Sequence, residues 1–554
     1  MTLFIFAASL NLCQAQVIVP ESTISDSVSW NANQGVYQIQ GNIYITESGF
    51  LRIGAGTQIR FEGNFGIFVS GGLLSSGING SDVVIKGADI GNGQHLFWQG
   101  ISIMTDAAIL DLNNTLIHDA QIAINTTPIS PLQPNINPIR LNFCTLENNL
   151  IGLKTGVRGI GLNMFNCLIA NNDIGVEASL AGVDSLQGLA QADIRFCRIE
   201  DNRIGLKNIS GYIRDCTLSR NDTAAYDIAL CLVGENAFSF NGMAFTGHSI
   251  SLENNSFFQN GTGALLTGRN ESREKWQQRS DITSNYFQAN GWGLIIQEGN
   301  RFNIMDCNLF FRNDSALMLP NSTAIGAGES FLLQRNVFAE NSFAIRVTEQ
   351  TQSFTPILGT NFERINLRYN TLFNNGNVLH NDGALNLNLL NNYMIASKAN
   401  IETGILDGSD GTGKGMVNYT VSGDTSMAGD SITVVKIEDV IKHQDYDSLL
   451  YAGNTYYFKV CAKLPGNPLS VPVEPPAPES VVYPNPTQGN LTLEWNTEEE
   501  AHAEVYNSLG QKLLLPNTVS YSPMSIDLSH VPTGIYYVVL VKPSGVVSSK
   551  ILKE

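Results

Sequence analysis

Charge is scarce in this sequence, and positive charge is the scarcest. Only 15% of the 554 residues are charged, well below the fraction that is usual in soluble proteins. There are 32 Lys and Arg against 50 Asp and Glu, which gives a formal net charge of -18. Nucleic acids and anionic membrane surfaces both require basic residues on the protein, so neither is expected as a partner.

Long apolar runs are also missing, apart from a short one at the start. Met1 to Ala15 reads MTLFIFAASLNLCQA, which is apolar through Leu12 and then small-x-small at Cys13-Gln14-Ala15. This pattern predicts a secretory signal peptide over residues 1–15, although a basic n-region is missing. A membrane anchor is the alternative, but a span requires about 20 apolar residues and no stretch approaches that length. We therefore predict export without a transmembrane span.

The cysteines and histidines argue against a metal site. Seven cysteines follow the signal peptide, and an odd number leaves at least one free thiol even where export permits disulfides. None forms a CxxC pair and no histidine stands at ligand spacing from them, so no zinc site is predicted. The stretch DGSDGTG from Asp407 has the look of a calcium loop but lacks the carboxylates for six or more ligands. A plain glycine turn and no cofactor are favoured.

Asparagine and glycine are abundant instead, at 57 and 51 residues, and many asparagines belong to a degenerate repeat. Taking an Asn or Cys as origin, the positions three before and two after it are apolar in ten copies. Asn stands five residues after the origin in every copy. The origins are Cys144, Cys167, Cys197, Cys216, Asn236, Asn255, Asn285, Asn308, Asn336 and Asn370.

This repeat predicts an all-β fold, a parallel β-solenoid over residues 16–400. No single coil buries its apolar face alone, but stacking at about 4.8 Å per coil puts each column in register. The apolar columns then fill the interior, and stacked Asn amides bond along the axis at the bends, where Asn also tolerates a left-handed turn. The four cysteine origins should form an inward ladder of thiols. A β-sandwich with Asn-rich turns is the alternative, but it predicts no fixed period of several columns.

The copies Leu141-NFCTLENNLIGL, Met164-FNCLIANNDIGV and Ile194-RFCRIEDNRIGL resemble the right-handed parallel β-helix repeats of the pectin-lyase-like superfamily. The resemblance covers roughly Val17 to Ala399. It implies the fold and leaves the activity open, because this superfamily includes polysaccharide lyases and glycoside hydrolases.

The C-terminal part divides into three segments. Residues 401–470 are interpreted as a β cap over the open solenoid end or a partial fibronectin-like domain, and the Pro-rich residues 471–481 as a stiff linker. Residues 482–554 alternate like the strands of a small β-sandwich. They resemble the type A sorting domain of the Bacteroidota type IX secretion system. The matching motif residues are Pro484, Asn485, Pro486, Gly510, Gly534 and Tyr536. The resemblance implies type IX machinery as a partner and a secreted or outer-membrane-surface location.

The repeat register places three arginines close together on the outside of the solenoid. Arg195 and Arg214 occupy the same outward column on successive coils, and Arg198 lies across the bend from Arg195. Asp193 and Tyr212 flank them, so this cluster is the candidate site for an acidic sugar. A second outward column holds Lys154, Glu177 and Lys207. The alternative for both columns is a surface salt-bridge ladder without a ligand.

Two functions therefore stay open. The first is a non-catalytic glycan-binding or adhesin-like module, which predicts a flat aromatic or polar face. The second is a secreted lyase or hydrolase for an acidic polysaccharide, with convergent charges in a groove beside the Thr267–Asp281 loop. Clustering of the three arginines with a carboxylate or calcium in one cleft would favour the enzyme. Whether the chain is an enzyme is not decided by its sequence.

Overall fold

The computed structural model is almost entirely β-structure, with 63% of residues in strands and 2% in helices. It forms two compact units, Met1–Pro468 and Leu469–Glu554. The structure describes residues 15–91, 94–105, 107–126, 139–155, 161–178, 191–267, 280–297, 302–320, 331–348, 365–368, 370–383, 387–389, 392–409, 416–418, 425–428, 446–451, 454–459, 480–483, 487–495, 501–507, 512–513, 519–520, 522–542 and 545–553. The predicted signal peptide lies outside these residues, apart from Ala15.

Three long sheets, named A, B and C here, build the first unit. Sheet A contains Gln16–Val19, Val36–Ile39, Gln58–Phe61, Val83–Gly87, Thr115–His118, Thr145–Glu147, Leu168–Ala170, Arg198–Glu200, Thr217–Ser219, Ala237–Ser239, Ser256–Phe258, Tyr286–Gln288, Leu309–Phe311, Val337–Ala339, Thr371–Phe373, Tyr393–Ser397 and Thr425–Ala428. Sheet B contains Ser22–Ile24, Ile43–Ile45, Gly66–Val69, Gly100–Ile103, Ile122–Thr126, Ile151–Thr155, Ile174–Ala178, Ile204–Lys207, Thr223–Ala229, Met243–His248, Thr262–Leu266, Trp292–Ile296, Ser315–Pro320, Phe343–Thr348, Asn377–Asn381 and Ile405–Leu406. Sheet C contains Ser27–Trp30, Phe50–Gly54, Gly72–Ser76, Ile109–Asn113, Ile139–Asn142, Leu162–Phe165, Gln191–Arg195, Ser210–Arg214, Cys231–Gly234, Ser251–Glu253, Ser280–Thr283, Phe302–Asp306, Phe331–Gln334 and Ile365–Arg368.

The chain visits sheets A, B and C in turn, and each strand pairs in parallel with the strand of the next coil. This confirms the predicted right-handed parallel β-helix. The predicted apolar columns fill its interior. Phe257, Phe287, Phe310 and Phe338 form a continuous inner stack with ring centroids 4.7–4.8 Å apart.

Two hydrogen-bonded asparagine ladders run along the inside of the bends, as predicted. In the first, the side-chain amide of each Asn donates to the Oδ1 of the next, from Asn149 to Asn375. The second runs from Asn236 to Asn392. The four cysteine origins precede the second ladder as buried free thiols, and Cys216 joins it through its backbone N–H, which donates to Asn236.

One detail of the corner prediction is wrong. The left-handed backbone belongs to the residue before each ladder Asn, not to the Asn itself. Asn148, Asp201 and Glu235, with φ of 56°, 58° and 59°, precede Asn149, Asn202 and Asn236. The reason is that the corner residue turns its side chain to solvent, whereas the ladder Asn must aim its amide along the axis. Many residue types therefore occupy the left-handed corner.

The end of the solenoid changes its strand pattern. The short helix Lys398–Gly404 leads into Ile405–Leu406, which still pairs in parallel with Asn377–Asn381. Thr425–Ala428 then joins sheet A antiparallel to Tyr393–Ser397. Smaller elements of the first unit are the 3-10 helix Ala32–Gln34 and the strand pairs Asp89–Gly91 with Gln94–His95, Leu387–Asn388 with Val417–Asn418, and Tyr446–Tyr451 with Asn454–Lys459.

Seven insertions leave the solenoid at one corner. One more, between Val83–Gly87 and Gly100–Ile103, leaves between sheets A and B and carries the strand pair Asp89–Gly91 and Gln94–His95. The stretches 127–138, 156–160, 179–190, 268–279, 298–301, 321–330 and 349–364 each separate a sheet B strand from the following sheet C strand. They lie outside the described residues. The predicted groove beside the Thr267–Asp281 loop therefore falls almost entirely outside them too.

The described strands of the second unit pair antiparallel, and one isolated parallel bridge joins Thr487 to Lys553. One sheet holds Ser480–Tyr483, Asn490–Trp495 and Met524–Asp527, and the other holds Ala501–Asn507, Lys512–Leu513, Val519–Ser520, Gly534–Lys542 and Gly545–Lys553. The two sheets share one core. It contains all five residues that the alternating pattern predicts to be buried, namely Leu491, Leu493, Val505, Tyr536 and Val538.

Candidate functional site

The three candidate arginines lie on neighbouring coils. Arg195 and Arg214 end adjacent strands of sheet C and are register partners, whereas Arg198 opens a strand of sheet A beyond the corner. Each has its own carboxylate. Arg195 pairs with Asp193 at 2.6 Å, Arg198 with Glu200 at 2.5 Å, and Arg214 with Glu235 at 2.8 Å. Their charges are therefore largely neutralised within the protein.

The corner beyond Arg198 carries a wider ion-pair network. Arg220 donates to Glu200 at 3.1 Å and to Asp201 at 2.7 Å, so Glu200 serves two arginines. The hydrogen bond that Arg220 donates to Asp201 is the main reason that the pKa of Arg220 is raised above its ordinary value. This network joins successive coils, and the Arg198 side chain stays 63% exposed.

The second predicted column is an ion-pair ladder. Glu177 lies between Lys154 and Lys207 in the register of sheet B. Its carboxylate pairs with Lys154 at 3.5 Å and with Lys207 at 2.7 Å. The geometry matches the interpretation of this column as a salt-bridge ladder.

The most unusual outward feature is aromatic, and the reasoning from sequence missed it. Phe143, Phe165 and Phe196, called the aromatic strip here, line the corner between sheets C and A on three successive coils. Their side chains are 54%, 39% and 47% exposed. The rings meet edge to face, with centroids 6.3 Å apart between Phe143 and Phe165 and 5.1 Å apart between Phe165 and Phe196.

Two members of the aromatic strip adopt a backbone conformation that is energetically unfavourable for bulky residues. Phe143 and Phe196 adopt the left-handed conformation, with φ of 54° and 55°. Bulky side chains avoid this region. The same corner is left-handed on other coils as well, so this conformation follows from the geometry of the coil and does not by itself mark a site. The same corner position holds Asp215 and Asn254 on other coils. The aromatic strip is visible in the sequence at two of its residues: Phe143 and Phe196 stand directly before the repeat origins Cys144 and Cys197, where a polar residue is expected.

Polar side chains flank the aromatic strip on the outer face of sheet C. Phe165 lies between Asn142 and Arg195 in the strand register. The next outward column places Arg140, Asn163, Asp193 and Tyr212 on four successive coils. Tyr212 is nearly half exposed. Together these residues place aromatic and polar side chains on the outer side of sheet C over four coils.

An acidic pair lies at the same corner on the next two coils. Asp215 has a raised pKa because it is partly buried and because the carboxylate of Glu235 lies beside it. Arg214 and Arg195 act in the opposite direction. A carboxyl group that holds its proton more tightly than usual is suited to proton transfer or to hydrogen bonding as a neutral donor.

In the glycine-rich stretch from Asp407, where a glycine turn is favoured over a calcium loop, the carboxylate of Asp407 forms hydrogen bonds within the protein. One oxygen of Asp407 accepts hydrogen bonds from the backbone and side chain of Ser409, at 2.8 and 2.6 Å. The other accepts from the backbone of Val417 at 2.8 Å. Across the described part of the chain, no three His, Cys, Asp or Glu residues gather closely enough to hold a metal ion.

The C-terminal unit is the part of the chain that comparison with known families identifies. Residues 481–554 match the family described as the secretion system C-terminal sorting domain. This unit is a type IX sorting domain. The chain is therefore exported by the type IX machinery and is attached to the cell surface or released. A search of curated proteins found no relative.

Of the predicted sorting motif, the described residues include Gly534 and Tyr536. Gly534 begins a strand of the sorting domain, and the buried Tyr536 donates its hydroxyl hydrogen bond to the carbonyl of Pro532 at 2.7 Å. Pro484, Asn485, Pro486 and Gly510 lie outside the described residues, as does nearly all of the predicted linker. Among the described residues, no helix combines the length and apolar character that a membrane crossing requires.

Proposed function

We propose that the solenoid is a non-catalytic glycan-binding module that the sorting domain delivers to the cell exterior. The aromatic strip carries this proposal. The three rings form one contiguous exposed apolar surface, and such surfaces are typical of sites that bind a partner or ligand. The C–H faces of sugar rings pack well against the electron-rich faces of aromatic rings.

The dimensions and the flanking residues support a saccharide chain along the solenoid axis. Three coils at about 4.8 Å each span roughly 10 Å, a length suited to a short oligosaccharide. Asn142, Asn163 and Tyr212 offer hydrogen-bonding groups to hydroxyls beside the strip. Arg140, exposed on the same face, suits a carboxylated or sulfated sugar.

A secreted lyase or hydrolase for an acidic polysaccharide is the second candidate. Asp215, with its raised pKa beside Arg214 and Arg195, is the observation that favours it. A hydrolase needs such a proton donor and a second carboxylate on the other side of the scissile bond. Glu235, which lies beside Asp215, is the candidate for that second carboxylate. Against this, Glu235 and all three candidate arginines are engaged in ion pairs.

The test is binding of the mature chain to a polysaccharide panel by affinity electrophoresis and calorimetry. Phe165→Ala and Phe196→Ala should each weaken binding at least about tenfold, the loss expected for a stacked aromatic contact. Phe240→Ala is the matched control, because Phe240 is also left-handed and 54% exposed but lies at the corner between sheets A and B. Equal losses in all three variants, or no binding to any polymer, would contradict the proposal.

The enzyme alternative is tested on the same panel. Release of unsaturated products, read by ultraviolet absorbance, or of reducing ends would demonstrate cleavage. Asp215→Asn should abolish that release without weakening binding if Asp215 is the proton donor. Binding without release of products, on every polymer that is bound, supports the non-catalytic module.

A further inference from the structure

The dipeptide Asn-Gly occurs at five places in the described part of the chain, in two different settings. One copy, Asn79-Gly80, lies in a turn outside the asparagine ladders. The other four belong to the first ladder, and their asparagines are Asn241, Asn260, Asn290 and Asn375. A sixth copy, Asn92-Gly93, lies outside the described residues. This dipeptide has a chemistry of its own, because glycine has no side chain to keep its backbone nitrogen away from the side-chain carbonyl of the asparagine.

Asn79 and Gly80 form the tip of a tight turn that leads from sheet C into sheet A. Ile78 and Ser81 close the turn, since the backbone N–H of each donates to the carbonyl of the other, at 3.3 and 2.8 Å. Gly80 has a φ of 81°, and a β-carbon placed on it would meet no atom within 4 Å. Asn79 is exposed. Among the described residues, neither its side chain nor the backbone N–H of Gly80 has a hydrogen-bond partner.

The ladder holds the same dipeptide in fixed positions. The side-chain nitrogen of Asn241 donates to Oδ1 of Asn260 at 3.0 Å, and Oδ1 of Asn241 accepts the backbone N–H of Asn221 at 2.9 Å. The backbone N–H of Gly242 donates to the carbonyl of Asn221 at 3.1 Å. Asn241 is only 2% exposed. Both groups are thus bonded to neighbouring coils, and the copies at Asn260 and Asn290 repeat this arrangement.

We propose that Asn79 is a site of spontaneous modification in the exported protein, at which the side-chain amide is lost as ammonia. The backbone nitrogen of Gly80 attacks Cγ of Asn79 and gives up its proton, and a new C–N bond closes a succinimide ring. The C–N bond of the side-chain amide breaks and NH₃ leaves. Water then opens the ring at either carbonyl, which yields aspartate or isoaspartate. Nothing is oxidised or reduced, and water is the only co-reactant. The exposed turn permits this attack because no hydrogen bond of Asn79 or of the Gly80 N–H has to break first.

The ladder copies can react only after their coil has opened. Attack by the glycine nitrogen requires the ladder hydrogen bonds to break, and the free energy of such local openings is lowest at the frayed ends of a stacked array. Asn375 is the last member of its ladder. Its side-chain nitrogen donates to the carbonyl of Phe338 at 2.8 Å, and the described residues offer it no further ladder Asn. We therefore expect Asn79 to react first, Asn375 next, and the copies inside the ladder last.

The same reaction has different structural consequences in the two settings. Inside the ladder it exchanges a donating NH₂ for a carboxylate oxygen, so a buried carbonyl loses its donor and an unpaired charge is left in the interior. At Asn79 it adds a negative charge to an exposed turn. The fold therefore tolerates the modification at the turn, whereas a modified ladder coil would be prevented from closing again. The inference does not depend on glycan binding.

Peptide mapping by mass spectrometry tests the proposal on the full mature chain. The folded protein is incubated in mildly alkaline buffer, and the mass gain and the isoaspartate content are followed at all five dipeptides. We expect Asn79 to convert at least about a hundredfold faster than Asn241, Asn260 and Asn290, because these must wait for an opening, with Asn375 between the two rates. Asn79→Gln is the control, since glutamine closes the corresponding larger ring far more slowly. It should abolish conversion at this position and leave the other four rates unchanged.

The chain unfolded in denaturant provides the second measurement. All five dipeptides should then react at similar rates, because no fold restrains them. The proposal would be overturned if Asn79 stayed intact in the folded chain while the unfolded chain reacted, or if Asn241 converted as fast as Asn79 in the folded chain. Ladder asparagines that stay slow in denaturant would show that the ladder is not what protects them. Conversion of Asn375 no faster than that of Asn241 would refute the order within the ladder.

Discussion

The side-chain nitrogen of Asn290 lies 3.0 Å from Oδ1 of Asn313, one coil further along the solenoid. The same nitrogen donates to the carbonyl of Phe257 at 2.9 Å, and Oδ1 of Asn290 accepts both the side-chain and the backbone N–H of Asn260. Each ladder amide thus satisfies its own polar atoms and those of two neighbouring coils.

Asn290→Ala should lower the free energy of unfolding by at least about 2 kcal/mol, because it leaves two buried donors of Asn260 without their acceptor. Asn33→Ala, at an exposed position, should change the stability by no more than about 0.5 kcal/mol. Chemical denaturation of both variants provides the measurement. Similar midpoints for the two would show that the ladder is dispensable.

Phe287→Asp should abolish soluble folded protein. Phe287 is fully buried between Phe257 and Phe310, so the substitution places an unpaired charge in the stack. Phe240→Asp at an exposed corner should leave the yield unchanged. Soluble yield and thermal melting of both variants provide the measurement. If Phe287→Asp melted like the wild type, Phe287 could not point into the interior.

The buried cysteines should resist alkylation in the native protein. Burial raises the pKa of Cys231, and alkylating agents react with the thiolate. Cys307 is only partly buried and should react first. Mass spectrometry after alkylation with and without denaturant measures this. Native labelling of Cys231 as fast as Cys307, or a Cys144–Cys167 or Cys197–Cys216 disulfide, would be the contrary result.

Asp407 should stabilise its loop without calcium. Burial alone would raise its pKa, but the hydrogen bonds from Ser409 and Val417 outweigh burial and lower it. A lowered pKa means that the stabilisation is present above the unfolded value of about 4 and is lost as the pH falls through the folded value. Asp407→Asn should therefore melt below wild type at pH 7, with a gap that closes towards pH 3. Calcium or a chelator should not shift either melting curve; a calcium-dependent rise in wild type alone would instead identify a binding loop.

Deleting residues 482–554 should strand a folded solenoid in the periplasm. The two compact units have separate cores, so removal of the sorting domain should not alter the melting temperature of the solenoid. Cell fractionation and thermal melting of the truncated chain provide the measurements. Arrival of the truncated chain at the surface would mean that another segment carries the export signal, and a drop of several degrees would mean that the tail supports the solenoid.

The sequence was most informative where one residue type repeats on every coil. The inward columns of Leu, Ile, Phe and Asn were predictable because a buried position accepts few residue types. The aromatic strip was not, since corner and outward positions vary freely and Phe165 stands one residue away from the position of Phe143 and Phe196 in the repeat.

Because the Asn ladders repeat coil by coil, the solenoid can lose or gain a whole coil without changing its inward columns. Asn236 and Asn255 occupy equivalent positions 19 residues apart, and each bonds to the coils before and after its own. A chain without residues 237–255 would keep every inward column in register and be shorter by one step of about 4.8 Å. Gene duplication or loss of single coils therefore gives such a protein a way to adjust, in fixed increments, how far it reaches from the cell.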